Sequence, residues 1–108
     1  MDIARGSTFD FTISLPEEYD ISDAKVVWVS FGQGNQEKFT KDKESEDVIV
    51  SGNLIQVHLT QDDTLSFYEG KAEMQTRILT ASDESLVQEP KTQITILPII
   101  KDGVISNG

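Results

Sequence analysis

The residues that could carry chemistry in this sequence are few, and His58 is its single histidine. A histidine can act as a general base or bind a metal, but either role needs a second group that orients its ring. His58 lies inside an alternating segment and has no cysteine or second histidine to work with. We therefore interpret it as an outward-facing strand residue without an orienting partner.

Serine nucleophiles and phosphate-binding loops have sequence signatures that are absent here. Ser51, Ser66 and Ser85 lie in predicted turns, but none occupies a Gly-x-Ser-x-Gly elbow. The sequence also contains no glycine-rich phosphate loop. We therefore expect that the protein is not an enzyme, has no catalytic residues and binds no cofactor.

Acidic side chains form two clusters that could attract calcium, one within residues 42–47 and one within residues 62–69. Neither has the Asp-x-Asp-x-Asp-Gly spacing of a helix-flanked calcium loop. The first cluster is interleaved with Lys41 and Lys43, which compete for the same carboxylates. We favour solvated charged loops over a calcium site and predict no metal ligand.

Trp28 is the remaining candidate inside the predicted domain. It is expected to point outward from its strand, and it would lie beside Arg77 if the two strands are neighbours. Such a pair could be a ligand platform or a cation–π contact. Because one tryptophan does not make a sugar-binding groove, we favour a Trp28 that stabilises its own sheet surface. Trp28 and Arg77 are retained as candidate interaction residues.

The composition limits what these residues can do. The chain has 108 residues, no cysteine and a formal net charge of −10. We predict one domain held by packing and sheet hydrogen bonds, without disulfides or thiolate zinc sites. The acidic surface disfavours nucleic-acid binding, and no apolar run is long enough to span a membrane. Residues 1–12 lack a signal-peptide pattern, so we expect synthesis in the cytoplasm.

Short strands separated by turns dominate the hydrophobic pattern. Alternation with a period of two predicts half-buried strands over residues 8–15, 54–60, 71–80 and 91–97. In the last three of these strands, the residues predicted to face inward are Ile55, Val57, Leu59, Ala72, Met74, Thr76, Ile78, Thr92, Ile94 and Ile96. Residues 24–31 are apolar on both faces, and we place Val27, Val29 and Phe31 inward. A hairpin turn over 32–35 and a strand over 36–40 should follow, then a charged connector over 41–47 and a strand over 48–50. Leu86 and Val87 are expected to pair briefly before Pro90.

One helical turn is predicted near residues 61–67. Thr60 is a candidate N-cap with Asp63 three residues later, an arrangement that resembles a capping box. Phe67 and Tyr68 follow as apolar residues that would cover the core. Together with about seven strands, this pattern indicates an all-β, immunoglobulin-like β-sandwich over residues 1–98.

Residues 99–108 form an apolar extension beyond that domain, with Ile99, Ile100, Val104 and Ile105 as candidate interaction residues. In an all-β protein, such a segment either folds back as an extra edge strand or binds another chain by β-augmentation. Both outcomes remain open at this point.

Five stretches together resemble a known family: RGST (5–8), VWVSFGQ (27–33), the region 51–67, MQTRILT (74–80) and IKDGVI (100–105). In their order and spacing, which span nearly the whole chain, the sequence is similar to small β-sandwich proteins of Firmicutes phages and prophages encoded among virion structural genes. It is more distantly similar to the N-terminal domain of phage baseplate upper proteins. The turn over 81–84 lacks the expected glycine and Pro90 interrupts the last strand, which leaves the register of the last hairpin open.

The resemblance implies a non-enzymatic structural protein of the virion, in the tail or baseplate region, that acts through protein–protein contacts. Its expected partners are other virion proteins or further copies of itself, with no nucleic acid, membrane or small-molecule ligand. The alternative is a β-sandwich module that binds carbohydrate or a host surface through Trp28 and the outward face of residues 71–79.

Overall fold

Two β-sheets and one short helix make up the computed structural model, which describes residues 1–106. The elements are β1 (Asp2–Ala4), β2 (Phe9–Ser14), β3 (Val26–Gln33), β4 (Gln36–Asp42), β5 (Val48–Ser51), β6 (Leu54–Leu59), α1 (Gln61–Leu65), β7 (Gly70–Leu79), β8 (Ser85–Val87) and β9 (Thr92–Leu97). Sheet A has the order β1-β9-β7-β3-β4 with β8 beside β7, and sheet B has the order β2-β6-β5. The predicted all-β, immunoglobulin-like sandwich is confirmed, with nine strands in residues 1–106 where about seven were predicted.

The strand that the alternation did not predict is β1. It pairs in parallel with β9, which places Ile3 beside Ile96 at the end of sheet A. Ile3 is completely buried. Three residues are too few to show a period of two, so β1 is defined by its partner rather than by its own sequence.

The inner faces of the two sheets share one hydrophobic core, and the inward-facing residues of the strands are those that the alternation predicted. The buried apolar residues of β3, β6, β7 and β9 are Val27, Val29, Phe31, Ile55, Val57, Leu59, Ala72, Met74, Ile78, Ile94 and Ile96. Trp28 is 42% exposed on the outer face, as predicted. Alternation with a period of two therefore predicts correctly which side chains of these four strands point toward the core.

Phe31 lies where the layers of the sandwich meet. Its ring stacks on Phe39 of β4 at 4.8 Å between centroids. It meets Phe11 of sheet B edge-on at 6.2 Å and Phe67, after α1, at 6.3 Å. Edge-on and offset-stacked aromatic pairs stabilise beyond the area that they bury. One ring thus joins both sheets and the connection between β6 and β7.

The predicted turn over residues 32–35 is wrong in its extent. β3 continues through Gln33, which is buried, and only Gly34 and Asn35 form the turn, both with positive φ as two-residue hairpins favour. The Gln33 amide donates to the carbonyls of Tyr68 and Lys71 at 2.7 and 3.2 Å, and its oxygen accepts from the Tyr68 N–H at 3.0 Å. Its buried polar atoms are therefore satisfied by backbone groups.

The short helix α1 has the predicted capping box. The Asp63 N–H donates to the Thr60 hydroxyl at 3.1 Å, and the Thr60 N–H donates to the Asp63 carboxylate at 2.8 Å. Phe67 is buried, but Tyr68 is 55% exposed beside Lys38, which corrects the prediction that it covers the core. No helix in residues 1–106 is long and apolar enough to cross a membrane.

Lys41 shows that residues 41–47 are not simply a charged connector. It belongs to β4, and its Nζ lies 2.7 Å from carboxylate oxygens of both Asp47 and Asp63. Burial alone would lower the pKa of Lys41, but the two carboxylates outweigh it and raise the pKa above 10.5. Burial likewise opposes the shift at Asp63, whose pKa Lys41 and Thr60 hold below 3.8. The cluster joins β4, α1 and the turn before β5.

We expect Lys41→Met to lower the free energy of unfolding by about 2 kcal/mol, because it leaves two half-buried carboxylates without their cation. Urea denaturation measures this loss. The control is Lys25→Met, which removes an exposed ion pair with Asp83 and should cost less than about 1 kcal/mol. Equal losses in the two variants would contradict this role of Lys41.

The same stability difference should depend on pH. A lowered Asp63 pKa stabilises the fold above pH 3.8, and this contribution is lost as the pH falls through the folded-state value. A raised Lys41 pKa stabilises the fold below pH 10.5, and this contribution is lost as the pH rises through its folded-state value. The difference in free energy of unfolding between the natural protein and Lys41→Met should therefore become smaller below pH 3.8. A difference that does not depend on pH would contradict the assignment.

Candidate functional site

The outer face of sheet A carries Trp28 and Arg77 side by side. β3 and β7 are antiparallel neighbours whose register pairs these two residues. The guanidinium carbon of Arg77 lies 5.5 Å from the centre of the Trp28 ring, within the range of a cation–π contact. The structure thus brings together the two candidate residues that lie within the predicted domain.

Asp42 and Val87 extend this pair into a row across four strands. Asp42 of β4 is opposite Trp28, and Val87 of β8 is opposite Arg77 and 46% exposed. A pocket of about 160 Å³ lies beside Trp28 and Arg77. Small-molecule sites are usually about 300–1,000 Å³. The row, with its aromatic, aliphatic and charged groups, is therefore better suited to a flat contact than to enclosing a ligand.

His58 lies on the outer face of sheet B, and the expectation that it lacks an orienting group is wrong. The register of β2 and β6 places it opposite Asp10, whose Oδ1 is 2.5 Å from the His58 Nδ1. The two side chains line a cavity of about 320 Å³ together with Glu46 and Asp47. However, the Asp10 side chain is 76% exposed and that of His58 is 41% exposed.

Nowhere in residues 1–106 are three His, Cys, Asp or Glu side chains placed to hold a metal ion.

The C-terminal segment, which we define as residues 98–106, lies against α1 and contains no strand. The Ile105 N–H donates to the Gln61 side chain at 2.8 Å, and its carbonyl accepts from the same side chain at 3.2 Å. Asp102 forms an ion pair with Arg5 at 3.2 Å. The segment is thus held at two points at the α1 end of the sandwich. The last two residues of the predicted extension, 107 and 108, lie outside the described residues.

The apolar side chains of the C-terminal segment face solvent. Ile100 is fully exposed, Ile105 is 80% exposed and Val104 is 53% exposed. Ile99 alone of the four is half-buried, and it packs over Gly6. The segment does not form the edge strand that was one of the two alternatives, and its binding to another chain stays a prediction.

The six candidate residues therefore form two separate groups. Trp28 and Arg77 lie on the outer face of sheet A, whereas the four apolar residues of the C-terminal segment lie at the α1 end. The sequence did not indicate the Asp10–His58 contact, because it depends on the pairing of two strands that are not consecutive in the chain.

Comparison with known proteins identifies a similar fold but no family. No protein-family model matches the chain, and no curated protein matches its sequence. Among solved structures, the chain is similar to a protein from Bacteroides vulgatus ATCC 8482 that is provisionally described as a glycoside hydrolase, with a TM-score of 0.54 and 14% identity. The match covers 93% of this chain and 17% of the other. At this identity, the likeness concerns the fold alone.

Because Trp28 is the only tryptophan, its fluorescence reports on the outer face of sheet A. We expect Arg77→Ala to increase the quenching of Trp28 by acrylamide, since the guanidinium no longer covers the ring. The same change should lower the free energy of unfolding by about 0.5–1 kcal/mol, the usual size of an exposed cation–π contact. Lys71→Ala, on the same strand but away from Trp28, is the matched control. Equal quenching in the two variants would argue against the contact.

Proposed function

We propose that the protein is a non-enzymatic structural component of a phage or prophage virion, in the tail or baseplate region, and that it acts through protein–protein contacts. The observation that carries the contact function is the exposure of Ile100, Val104 and Ile105 on a segment that polar contacts hold in place. Covering apolar surface is worth about 25 cal/mol per Å². A segment of this kind is therefore suited to binding another protein chain.

The virion part of the proposal rests on the resemblance of the sequence to small β-sandwich proteins of phages and prophages. That resemblance includes residues 5–8 and 100–105. In the structure, Arg5 donates to the Phe67 carbonyl at 2.6 Å and pairs with Asp102. Both stretches thus contribute to the arrangement that presents the apolar side chains.

A role without catalysis is supported by the surroundings of His58 and Asp10. Catalytic groups usually lie in clefts where burial and nearby charges change their pKa values. The carboxylate of Asp10 is instead largely exposed, and the pair spans two neighbouring strands as an ordinary cross-strand contact. We therefore assign this pair to sheet stability.

The proposal predicts that the purified protein captures identified virion proteins from an induced lysogen, as measured by pull-down and mass spectrometry. The double variant Ile100→Asp/Ile105→Asp should lose this capture, because charged side chains cannot be buried without a partner. Ile49→Asp is the matched control, since Ile49 is an isoleucine on sheet B with 57% exposure. Failure of the natural protein to capture any virion protein would overturn the proposal.

A second candidate function is the binding of carbohydrate or a host surface, and the half-exposed Trp28 beside Arg77 favours it. An aromatic ring can stack on a sugar, and a charged side chain next to it can form hydrogen bonds with the hydroxyl groups of the sugar. This candidate predicts that the protein binds glycans on an array and that Trp28→Ala abolishes the binding. Tyr68→Ala, at an exposed aromatic residue away from the row, is the control. Absence of glycan binding would remove this candidate.

A further inference from the structure

The sandwich is open along the side next to β2. Sheet B ends at β2, which pairs with β6 alone. On the same side of sheet A, β1 covers only the part nearest α1, where it pairs with β9. Farther from α1, the edge is formed by β8, which pairs with Arg77–Leu79 of β7. Within residues 1–106, no strand lies between β2 and β8.

The backbone of β2 offers a free edge at this opening. The Leu15 N–H donates to the Asn53 carbonyl at 2.9 Å, on the side where β6 lies. Because N–H and C=O groups alternate in direction along an antiparallel strand, those of Thr12 and Ser14 point away from β6. Among the described residues they have no backbone partner. Such an edge is a template for the addition of another strand.

An apolar cleft of about 610 Å³ lies beside the free edge of β2. Side chains from the inner faces of both sheets line it, among them Ile13, Leu15, Ile78 and Leu86. Ile13, Leu15 and Leu86 are only half-buried, although they pack against the core. The hydrophobic core therefore reaches solvent here, in a groove that runs beside unpaired backbone groups.

Thr76 is a polar residue in the wall of the cleft. It lines the cleft and is 6% exposed. Its backbone N–H and C=O both bond to Gln88, at 3.0 and 2.9 Å. Its hydroxyl, in contrast, has no hydrogen-bond partner among the residues that the structure describes. A buried hydroxyl without a partner is unfavourable, so this wall of the cleft keeps an unsatisfied polar group just beneath its surface.

We propose that the cleft binds the C-terminal segment of a second copy of this chain, which adds to the edge of β2 as a further strand. This inference rests on the proposed function in protein–protein contact and names the partner. In an extended segment, Ile99 and Ile105 share the face that can fill the cleft, whereas Ile100 and Val104 share the other face, on the side of Ser14. From residue 98 to residue 104 its backbone forms no hydrogen bond to other backbone in the described structure. Both requirements of strand addition are therefore present in one molecule.

Charge also favours this segment as the occupant. The chain has a net charge of −10, so most of its surface repels a second copy. The C-terminal segment contains one lysine, Lys101, and one acidic residue, Asp102, so it is neutral and is repelled less than the rest of the acidic surface. The rim of the cleft includes Glu89, and the loop after β2 contains Glu17 and Glu18. Lys101 would thus approach acidic side chains, while Asp102 would point to the opposite face of the added strand.

The positions of segment and cleft determine how the copies would be joined. The C-terminal segment is held at the α1 end by Gln61 and Arg5. The cleft lies toward the other end of β7, at residues 76–78. A donor at one end and an acceptor at the other give a head-to-tail contact, which builds a ring or an open filament. Binding exchanges the exposed polar contacts of the segment for burial of Ile99 and Ile105.

Because the chain contains no cysteine, engineered cysteine pairs can test the contact. Protein with Ser14→Cys is mixed with protein with Val104→Cys and oxidised, and crosslinked dimers are measured on non-reducing gels. We expect the Ser14/Val104 pair to crosslink, and Leu86→Lys in the copy that carries Ser14→Cys to remove the crosslink. The control pair is Ile49→Cys with Val104→Cys, because Ile49 is exposed on β5, the edge strand of sheet B opposite β2. Circular dichroism verifies that each variant is folded.

Crosslinking equal to that of the Ile49 control would overturn the proposal. The same oxidation is repeated in an extract of the induced lysogen, and crosslinking of Ser14→Cys to a virion protein alone would also overturn the proposal, because the cleft would then accept a strand from a different partner. If the copies fail to crosslink while the pull-down still captures virion proteins, the second-copy contact is wrong and the proposed function stands. If crosslinks form but no virion protein is captured, the proposed virion role fails instead.

Discussion

The packing of the Phe31 ring is the interaction on which the rest of this structure depends. A chain without cysteine has only packing and hydrogen bonds to hold two sheets together, and this ring contacts aromatic residues from each sheet and Phe67 after α1. With Phe31 inward, the pleat of β3 places Trp28 outward, beside Arg77. With Phe67 packed on the same ring, its carbonyl is positioned for Arg5, which in turn holds Asp102. Both groups of candidate residues are therefore connected to this ring, and Gln61 holds the C-terminal segment at a second point.

Much of the fold could be predicted because alternation is a local property. The neighbouring residues are enough to predict that Val29 or Ile94 points toward the core, and the Thr60–Asp63 capping box spans only four positions. The errors occurred where a distant partner decides the outcome. β1 exists because β9 is beside it, and Gln33 enters the core because the backbone of Tyr68 and Lys71 satisfies its amide. The sequence had indicated a turn at Gln33 because this polar residue lies between two glycines.

The candidate site was less accessible to prediction than the fold. The outward facing of Trp28 followed from periodicity, but its contact with Arg77 depended on the order of the strands. The contacts of Lys41 with Asp63 and of His58 with Asp10 join residues that are distant in sequence. Thr76 was correctly predicted to face inward, yet the lack of a partner for its hydroxyl depends on the groups around it. A cleft that results from an uncovered strand edge has no residue pattern of its own.

The parallel pairing of β1 with β9 determines how the domain would respond to mechanical force. The first strand begins at one end of this pair and the last strand finishes at the other. Tension applied between Asp2 and Leu97 therefore acts along the strands and loads their hydrogen bonds in shear. The bonds from Thr95 to Met1 and from Arg5 to Leu97 would share this load rather than break in succession, as they would in a peeling geometry. The β1–β9 pair thus acts as a clamp that resists extension.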